Sequence, residues 1–429
     1  HFGWSELTTM TGPRYRYGEI RIEGLQRYSP ELVERYTKPL RSGEVYRQDE
    51  LLAVQTALQN SPYFASVRVD LGTEENAGES ADQQASGNVD TNAKPATTAA
   101  EPLQVATAPV IIRLREKQPY EVTLGAGVSS NTGARVEANF RDIDFLHRAW
   151  DLRTGARIEQ KAQSAYADVF FPLGEGQRQD SVGAVIEKSD IEGLGIERIA
   201  FAASRMQPRG SIEQRVGLSY QYERQSPKSA PTTINRALTP TIGWLWRYSK
   251  HPLDVSEGIA AQLQLGVAAK SVLSDQNFLR TYFRYTQGIS LSRSNSLLLR
   301  GEIGVTAAPS RDGIPQNNLF RAGGSNSVRG YRYQSLGVKE DSATLGGRYL
   351  LTLSAEYTHW LDEQWGIAAF VDAGQAADNT NDVTQLATGV GVGARWKSPA
   401  GALAIDLAYG ANKKYDGGVR LHFSLAVPF

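Results

Sequence analysis

From about Pro119 to the end of the chain, apolar and polar residues alternate with a period of two. Val419, Leu421, Phe423, Leu425, Val427 and Phe429 are apolar, and Arg420, His422 and Ser424 stand between them. Leu403, Ile405, Leu407 and Tyr409 share a face opposite Asp406, and Val390, Val392, Ala394 and Trp396 oppose Gly389, Gly391, Gly393 and Arg395. Leu297, Leu299, Ile303 and Val305 against Arg300 and Glu302, and Trp365, Ile367, Ala369 and Val371 against Phe370 and Asp372, repeat the pattern. Period two predicts strands whose faces differ in polarity. A soluble sandwich also alternates, but it packs its apolar faces together. Two features favour a membrane barrel instead: many long strands in tandem with no helical pattern between them, and tryptophans near strand ends (Trp150, Trp244, Trp246, Trp360, Trp365, Trp396). Allowing roughly 20 residues per strand and connection, a region of about 310 residues makes about 16 antiparallel strands. The apolar face then meets lipid and the charged face lines the lumen.

Before this region the pattern is mixed. Tyr15–Ile22 alternates and stops at Gly24, as a short strand does. Ser29-Pro30-Glu31 reads as a helix start, with Ser at the N-cap and Pro at the first helical position. Gln48–Asn60 carries Leu51, Leu52, Val54, Ala57 and Leu58 at roughly helical spacing, and Tyr63–Leu71 alternates again. Gly72–Ala108 is rich in Gly, Ala, Thr, Asn and acids, too poor in large apolar residues to order itself, and is expected to be a disordered insertion. Val110–Leu114 resumes as a strand. The order β-α-α-β-β makes a small α+β domain with a three-stranded sheet. The layout expected is residues 1–11 as a linker or remnant of a preceding domain, 12–117 as the α+β domain with its insertion at about 72–108, and 118–429 as the barrel.

Composition narrows the functions. With 46 basic and 46 acidic residues there is no basic excess to favour nucleic acid. The chain has no cysteine, hence no disulfide and no thiolate metal site, and its five histidines form no HExxH helix. No run of 18 apolar residues marks a transmembrane helix, a test to which barrel strands are blind. The sequence opens on HFGWSELTTMTGP without a visible signal peptide, suggesting a processed or truncated N-terminus.

Phe320–Gly337 (FRAGGSNSVRGYRYQSLG) lies between alternating runs and reads as a long loop joining two strands. Gly323 and Gly324 precede its core, Val328-Arg329-Gly330-Tyr331, and such glycines let a loop fold back tightly. An arginine turned inward needs an acidic partner. Alternation sets Glu356 and Asp372 on the lumen side, together with Phe370 and Gly374, and Gly374 leaves room for a plug to approach. A charge-assisted pairing of Arg329 with these carboxylates would pin the loop inside the barrel. The plain alternative is a surface loop with a stray cation above ordinary porin charges. The three charges together favour the pinned loop. Glu356 and Asp372 are also a conceivable catalytic carboxylate pair, but no cleft can be argued for them, and no GxSxG or cysteine nucleophile accompanies them.

VRGY in a glycine-rich loop, a following strand with Glu356, FVDAG at Phe370–Gly374 and a C-terminal phenylalanine together resemble the superfamily of outer-membrane assembly factors with POTRA domains. The β-α-α-β-β unit is similar to one POTRA domain. GPRYRYG at Gly12–Gly18, FRAGGSNSVRGYRYQSLG and ATGVGVGARWKSPAGALAIDLAYG at Ala387–Gly410 look most like its TamA-like branch, with BamA-like proteins as near relatives. Three POTRA domains precede the barrel in that branch and one is visible here; the insertion also departs from the usual POTRA pattern.

The resemblance implies a non-enzymatic factor without cofactor, in the bacterial outer membrane with its POTRA domain in the periplasm. It would open laterally where the first and last strands meet, inserting or secreting β-rich proteins such as autotransporters, with a TamB-like periplasm-spanning partner and linked contact with outer-membrane lipids. Two-partner secretion pores and BamA-like general insertases are the alternatives. The seam would join Tyr120–Ser129 to Gly418–Phe429. Pro428 has no N–H, and Gly125, Gly127 and Gly418 bring no side chains, although glycine is common in barrel strands. Each hydrogen bond missing there is worth about 1 kcal/mol. An open edge would template an incoming strand, and Phe429 resembles the terminal aromatic of outer-membrane barrels.

Overall fold

The computed structural model describes residues 14–72, 105–249, 257–398 and 401–425. The chain divides into two compact units, His1–Pro119 with Leu146–Ala149, and the remainder from Tyr120 onward.

The first unit contains β1 (Arg14–Glu23), α1 (Pro30–Thr37), α2 (Gln48–Gln59), β2 (Phe64–Leu71) and β3 (Val105–Glu116). The sheet order is β1-β3-β2, with β3 parallel to β1 and antiparallel to β2. Leu32 and Val33 of α1 and Val54 and Leu58 of α2 are buried, as are Tyr17, Val110 and Ile112 of the sheet. Helix α1 begins at Pro30, but the Ser29 side chain makes no capping bond; the Ser29 carbonyl instead accepts from Leu32 N–H at 3.1 Å.

The expected insertion needs correcting at its far end. Val105–Ala108 belongs to β3, paired in parallel with Arg14–Tyr17, and Ala108 is buried. Val105 and Thr107 suit a strand while the alanines beside them bring little, and the hydrogen-bonding edge of β1 completes the ladder. Pro109, which cannot donate to a ladder, falls at the register shift between Tyr17 and Ile20. Residues 73–104, the rest of that expectation, lie outside the described residues, as do residues 1–11.

The second unit is a closed antiparallel barrel of 16 strands. They are β4 (Tyr120–Ser129), β5 (Gly133–Phe145), β6 (Trp150–Glu159), β7 (Ala162–Phe170), β8 (Gln179–Ile191), β9 (Leu194–Arg209), β10 (Ile212–Pro227), β11 (Thr233–Ser249), β12 (Gly258–Ala268), β13 (Phe278–Ser292), β14 (Asn295–Ala307), β17 (Tyr349–Trp360), β18 (Trp365–Ala377), β19 (Ala387–Ser398), β20 (Gly401–Gly410) and β21 (Val419–Leu425). A small hairpin, β15 (Val338–Glu340) and β16 (Ala343–Leu345), sits within the long β14–β17 connection. A four-residue helix, α3 (Thr380–Val383), follows β18.

The outward face is apolar and exposed, as at Ile367, Val371, Val390, Val392, Ile405 and Leu407. Their in-between neighbours Phe370, Asp372 and Asp406 point inward and are buried. The six barrel tryptophans gather at one end, the end at which the chain enters at Tyr120. There Trp365 stacks on Trp396, with ring centroids 5.1 Å apart, and Lys397 lies over Trp360. No helix among the described residues is long and apolar enough to cross a membrane; the strands supply the apolar surface.

Candidate functional site

The connection from β14 to β17 folds back into the barrel. Phe320, Ala322, Val328, Tyr331 and Leu336 from the loop form one buried cluster with Leu350, Ala376 and Ala387 of the wall. Tight turns make this path possible: Gly323, Gly324 and Gly330 all have φ near +90° to +100°, where a side chain would be strained.

Arg329 is 1% exposed. Its Nε and Nη2 bond the two oxygens of Asp372 at 2.7 and 2.9 Å, a bidentate fork, and its own backbone N–H adds a third bond at 3.0 Å. Nη1 reaches Glu356 at 2.7 Å and Asp406 at 3.1 Å. The guanidinium carbon lies 3.3 Å from the ring centroid of Phe370. Three carboxylates around one guanidinium offset the cost of burying its charge.

A second arginine closes the network. Arg395 donates to Glu356 at 2.8 Å and to Asp406 at 2.6 Å. Three buried carboxylates thus share two guanidiniums, and a third, Arg300, bonds Ser354, the register partner of Asp372. A guanidinium sits where a cation could otherwise bind. Among the described residues no group of three His, Asp or Glu is arranged to hold a metal.

Glycines on the inward face let the loop backbone touch the wall. A Cβ at Gly374 would lie 2.9 Å from Val328 Cγ2, and one at Gly389 would collide with the Arg329 carbonyl. A Cβ at Gly410 would meet the Gly330 carbonyl at 2.6 Å. Gly391 similarly clears the Phe370 ring. Tyr331 is buried, its hydroxyl donating to the Thr388 carbonyl at 3.0 Å and accepting from Asn412 N–H at 3.0 Å.

The structure therefore brings Val328, Arg329, Gly330, Tyr331, Glu356, Phe370, Asp372 and Gly374 into one contact set. Reading from sequence left out Asp406, Arg395 and His422. All three were visible as inward-facing by alternation, but parity does not give height along the barrel. The spaced glycines Gly389, Gly391 and Gly393 were the further signal of a close approach.

The seam residues are distributed differently. Strand β21 meets β4 through one ladder pair among the described residues, Ser424 opposite Ser129. Ser130 adds bonds to Phe423 at 3.2–3.3 Å. Gly125 and Gly127 sit in β4 opposite Glu137 and Arg135 of β5. Gly418 stands before the other end of β21, its carbonyl accepting from Gly410 N–H at 3.0 Å, so it faces β20 and not β4. Pro428 and Phe429 lie outside the described residues.

A family model described as the Omp85 superfamily domain matches residues 117–429, and one described as POTRA, surface antigen variable number repeat, matches residues 15–117. Among solved structures, BamA from Haemophilus ducreyi lacking POTRA domains 1–3 is similar with a TM-score of 0.77 at 15% identity, covering 97% of this chain and 85% of that one. CdiB from Acinetobacter baumannii is similar at a TM-score of 0.58 and 14% identity, covering 96% and 73%. At such identities the likeness speaks for the fold, whereas the family match spans most of the chain. With a sixteen-stranded barrel, an arginine-bearing loop folded into it and a POTRA domain ahead of it, this chain belongs to the Omp85 superfamily of outer-membrane β-barrel proteins.

Proposed function

We propose that this protein is a non-enzymatic outer-membrane assembly and translocation factor of the TamA-like kind, with its POTRA domain in the periplasm. It inserts or secretes β-rich substrates, such as autotransporters, through the junction of β4 and β21. The observation that carries this reading is a loop locked by Arg329 inside a barrel whose first and last strands, β4 and β21, meet at a junction. Strands β20 and β21 pair continuously from Leu403–Leu425 to Tyr409–Val419, and β4 pairs with β5 along its whole length. Between β21 and β4 the described residues hold the single pair Ser424–Ser129. Parting β4 from β21 there would bare a strand edge, which is what an incoming strand needs as a template.

The lock supports a non-enzymatic role. Every carboxylate around Arg329 is engaged by guanidinium donors, which leaves no free acid–base pair. A TamB-like periplasm-spanning partner and a linked passage of outer-membrane lipid belong to the same proposal.

The test is a Ser129→Cys/Ser424→Cys pair in cells lacking the native protein. The chain has no other cysteine, so oxidation reports on this pair alone. Secretion of an autotransporter passenger should stop when the pair is oxidised and resume on reduction. Undiminished secretion through an oxidised seam would sink the reading. A second reading, a two-partner secretion pore, draws on a polar lumen cavity of about 540 Å³ lined by Arg157, Glu187, Arg280 and Arg321. It would show large single-channel conductance with the seam oxidised, and it would act on one cognate exoprotein. A BamA-like general insertase would instead serve many barrels.

A further inference from the structure

The VRGY motif crosses the barrel wall strand by strand. Val328 meets Gly374 of β18, the Arg329 carbonyl meets Gly389 of β19, and Gly330 meets Gly410 of β20. The next strand is β21, and there Gly330 N–H donates to His422 Nε2 at 2.9 Å. His422 is 4% exposed and stands opposite Asp406 in the β20–β21 ladder. Since Nε2 accepts, the ring proton resides on Nδ1, which has no hydrogen-bond partner among the described residues. The imidazole thus gives up one buried hydrogen bond in order to make this one, an arrangement with a cost that calls for a reason.

We propose that His422 is a positioning residue that ties the locked loop to the terminal strand, so that the placement of the loop sets how firmly β21 is held at the seam. Gly330 is fixed from the other side by Arg329, whose carboxylate partners lie on β17, β18 and β20. Strand β21 is bonded along one edge to β20 and meets β4 at one described pair. The contact through His422 therefore gives β21 an anchor on the lumen side besides its ladder with β20. Displacing the loop withdraws the Gly330 N–H and loosens β21, and a substrate that pulls β21 away withdraws the acceptor from the loop. This inference rests on the proposed seam function, but it concerns the coupling of loop and strand and not the cargo.

The geometry distinguishes a specific acceptor from mere polarity. In Gln, Oε1 is as many bonds from Cα as Nε2 is in His, so H422Q presents an acceptor at the same reach. In Asn the oxygen is one bond shorter and stops at the position of Nδ1, and Phe fills the ring volume with no acceptor.

The three variants are placed in the full chain carrying Ser129→Cys and Ser424→Cys, in outer membranes, with folding scored by heat-modifiable mobility. The rate of disulfide trapping across the seam is then measured. H422F and H422N should each change the trapping rate about fivefold, the effect of one lost hydrogen bond, while H422Q stays near wild type. Equal trapping in all four proteins overturns the proposal, and so does a shift shared by H422Q and H422N, which would mark a role for ring packing only. If H422F fails to fold, the Gln–Asn contrast decides alone. If trapping follows the expected order while secretion ignores the oxidised seam, the assembly reading falls and the coupling stands.

Discussion

Arg329 is stabilised by three carboxylates from three different strands, so its removal strands more charge than a single ion pair would. Breaking a buried pair by deleting one partner costs about 3–5 kcal/mol. Arg329→Ala should lower barrel stability by about that much, read as a reduced temperature for loss of the heat-modifiable band. Arg329→Lys should recover only part of it, because an ammonium cannot fork onto Asp372 while reaching Glu356. The same network limits a charge swap. In Arg329→Glu with Asp372→Arg, the new glutamate faces Glu356 and Asp406, so we expect little rescue. At Gly389 the expected lesion is steric: Gly389→Ala drives a methyl into the Arg329 carbonyl and should expel the loop, raising its protease cleavage without touching a charge.

A second residue-scale expectation lies in the POTRA domain. Glu116 Oε1 accepts backbone N–H groups from Gln26, Arg27 and Tyr28 at 2.9–3.2 Å. Burial would raise its pKa, but these donors more than offset that, and the pKa is lowered. A depressed carboxylate pKa contributes stability that is fully present above the unfolded value of about 4.3 and lost as pH falls through the folded value. Amide exchange at residues 26–28 should therefore accelerate on acidification below that range, relative to neighbouring amides. In Glu116→Gln it should be faster at neutral pH and lose this acid step.

At the scale of elements, the loop is held at two places. Away from the lock, Gln316 N–H donates to Glu223 of β10 at 2.8 Å, and the Gln316 side chain bonds Gln225 at 3.2 Å and accepts from Gly346 N–H at 2.7 Å. Gln316→Ala should thus loosen the first half of the loop while Arg329 keeps the second in place. Hydrogen exchange that rises around residues 314–320 and 346, but not around 328–331, would bear this out; a uniform rise would refute separate anchors. Much of the element plan was legible in the sequence. Alternation fixed the strands and their faces, because period two is imposed by the pleat itself. It placed Glu356, Asp372 and Asp406 on one face without revealing that Arg329 reaches all three, since register between strands depends on pairing that no single strand encodes. The start of β3 at Val105 was hidden for a related reason: Ala106 and Ala108 alternate with Val105 and Thr107 next to a long polar, small-residue run, and the pairing with β1 that orders them is not encoded in the strand itself.

For the whole molecule, the strongest constraint is that one barrel surface must suit hydrocarbon and the other a packed polar lumen. Exposed apolar residues such as Ile405, 54% exposed near the middle of β20, belong to the first. Ser164 of β7, which lines the lumen cavity between Arg157 and Glu187 in register, belongs to the second. An arginine near the bilayer midplane on the outer face of a barrel costs about 2–4 kcal/mol, whereas lumen substitutions mainly alter what the interior accommodates. Ile405→Arg should therefore reduce folding into lipid vesicles by that margin. Ser164→Arg, which faces the polar lumen between Arg157 and Glu187, should fold nearly as well as wild type. The same pair in detergent should differ less, because a micelle can adapt around the new charge. Equal loss for both substitutions in lipid would mean that the outward face is not lipid-facing at Ile405, and the membrane orientation of the barrel would have to be redrawn.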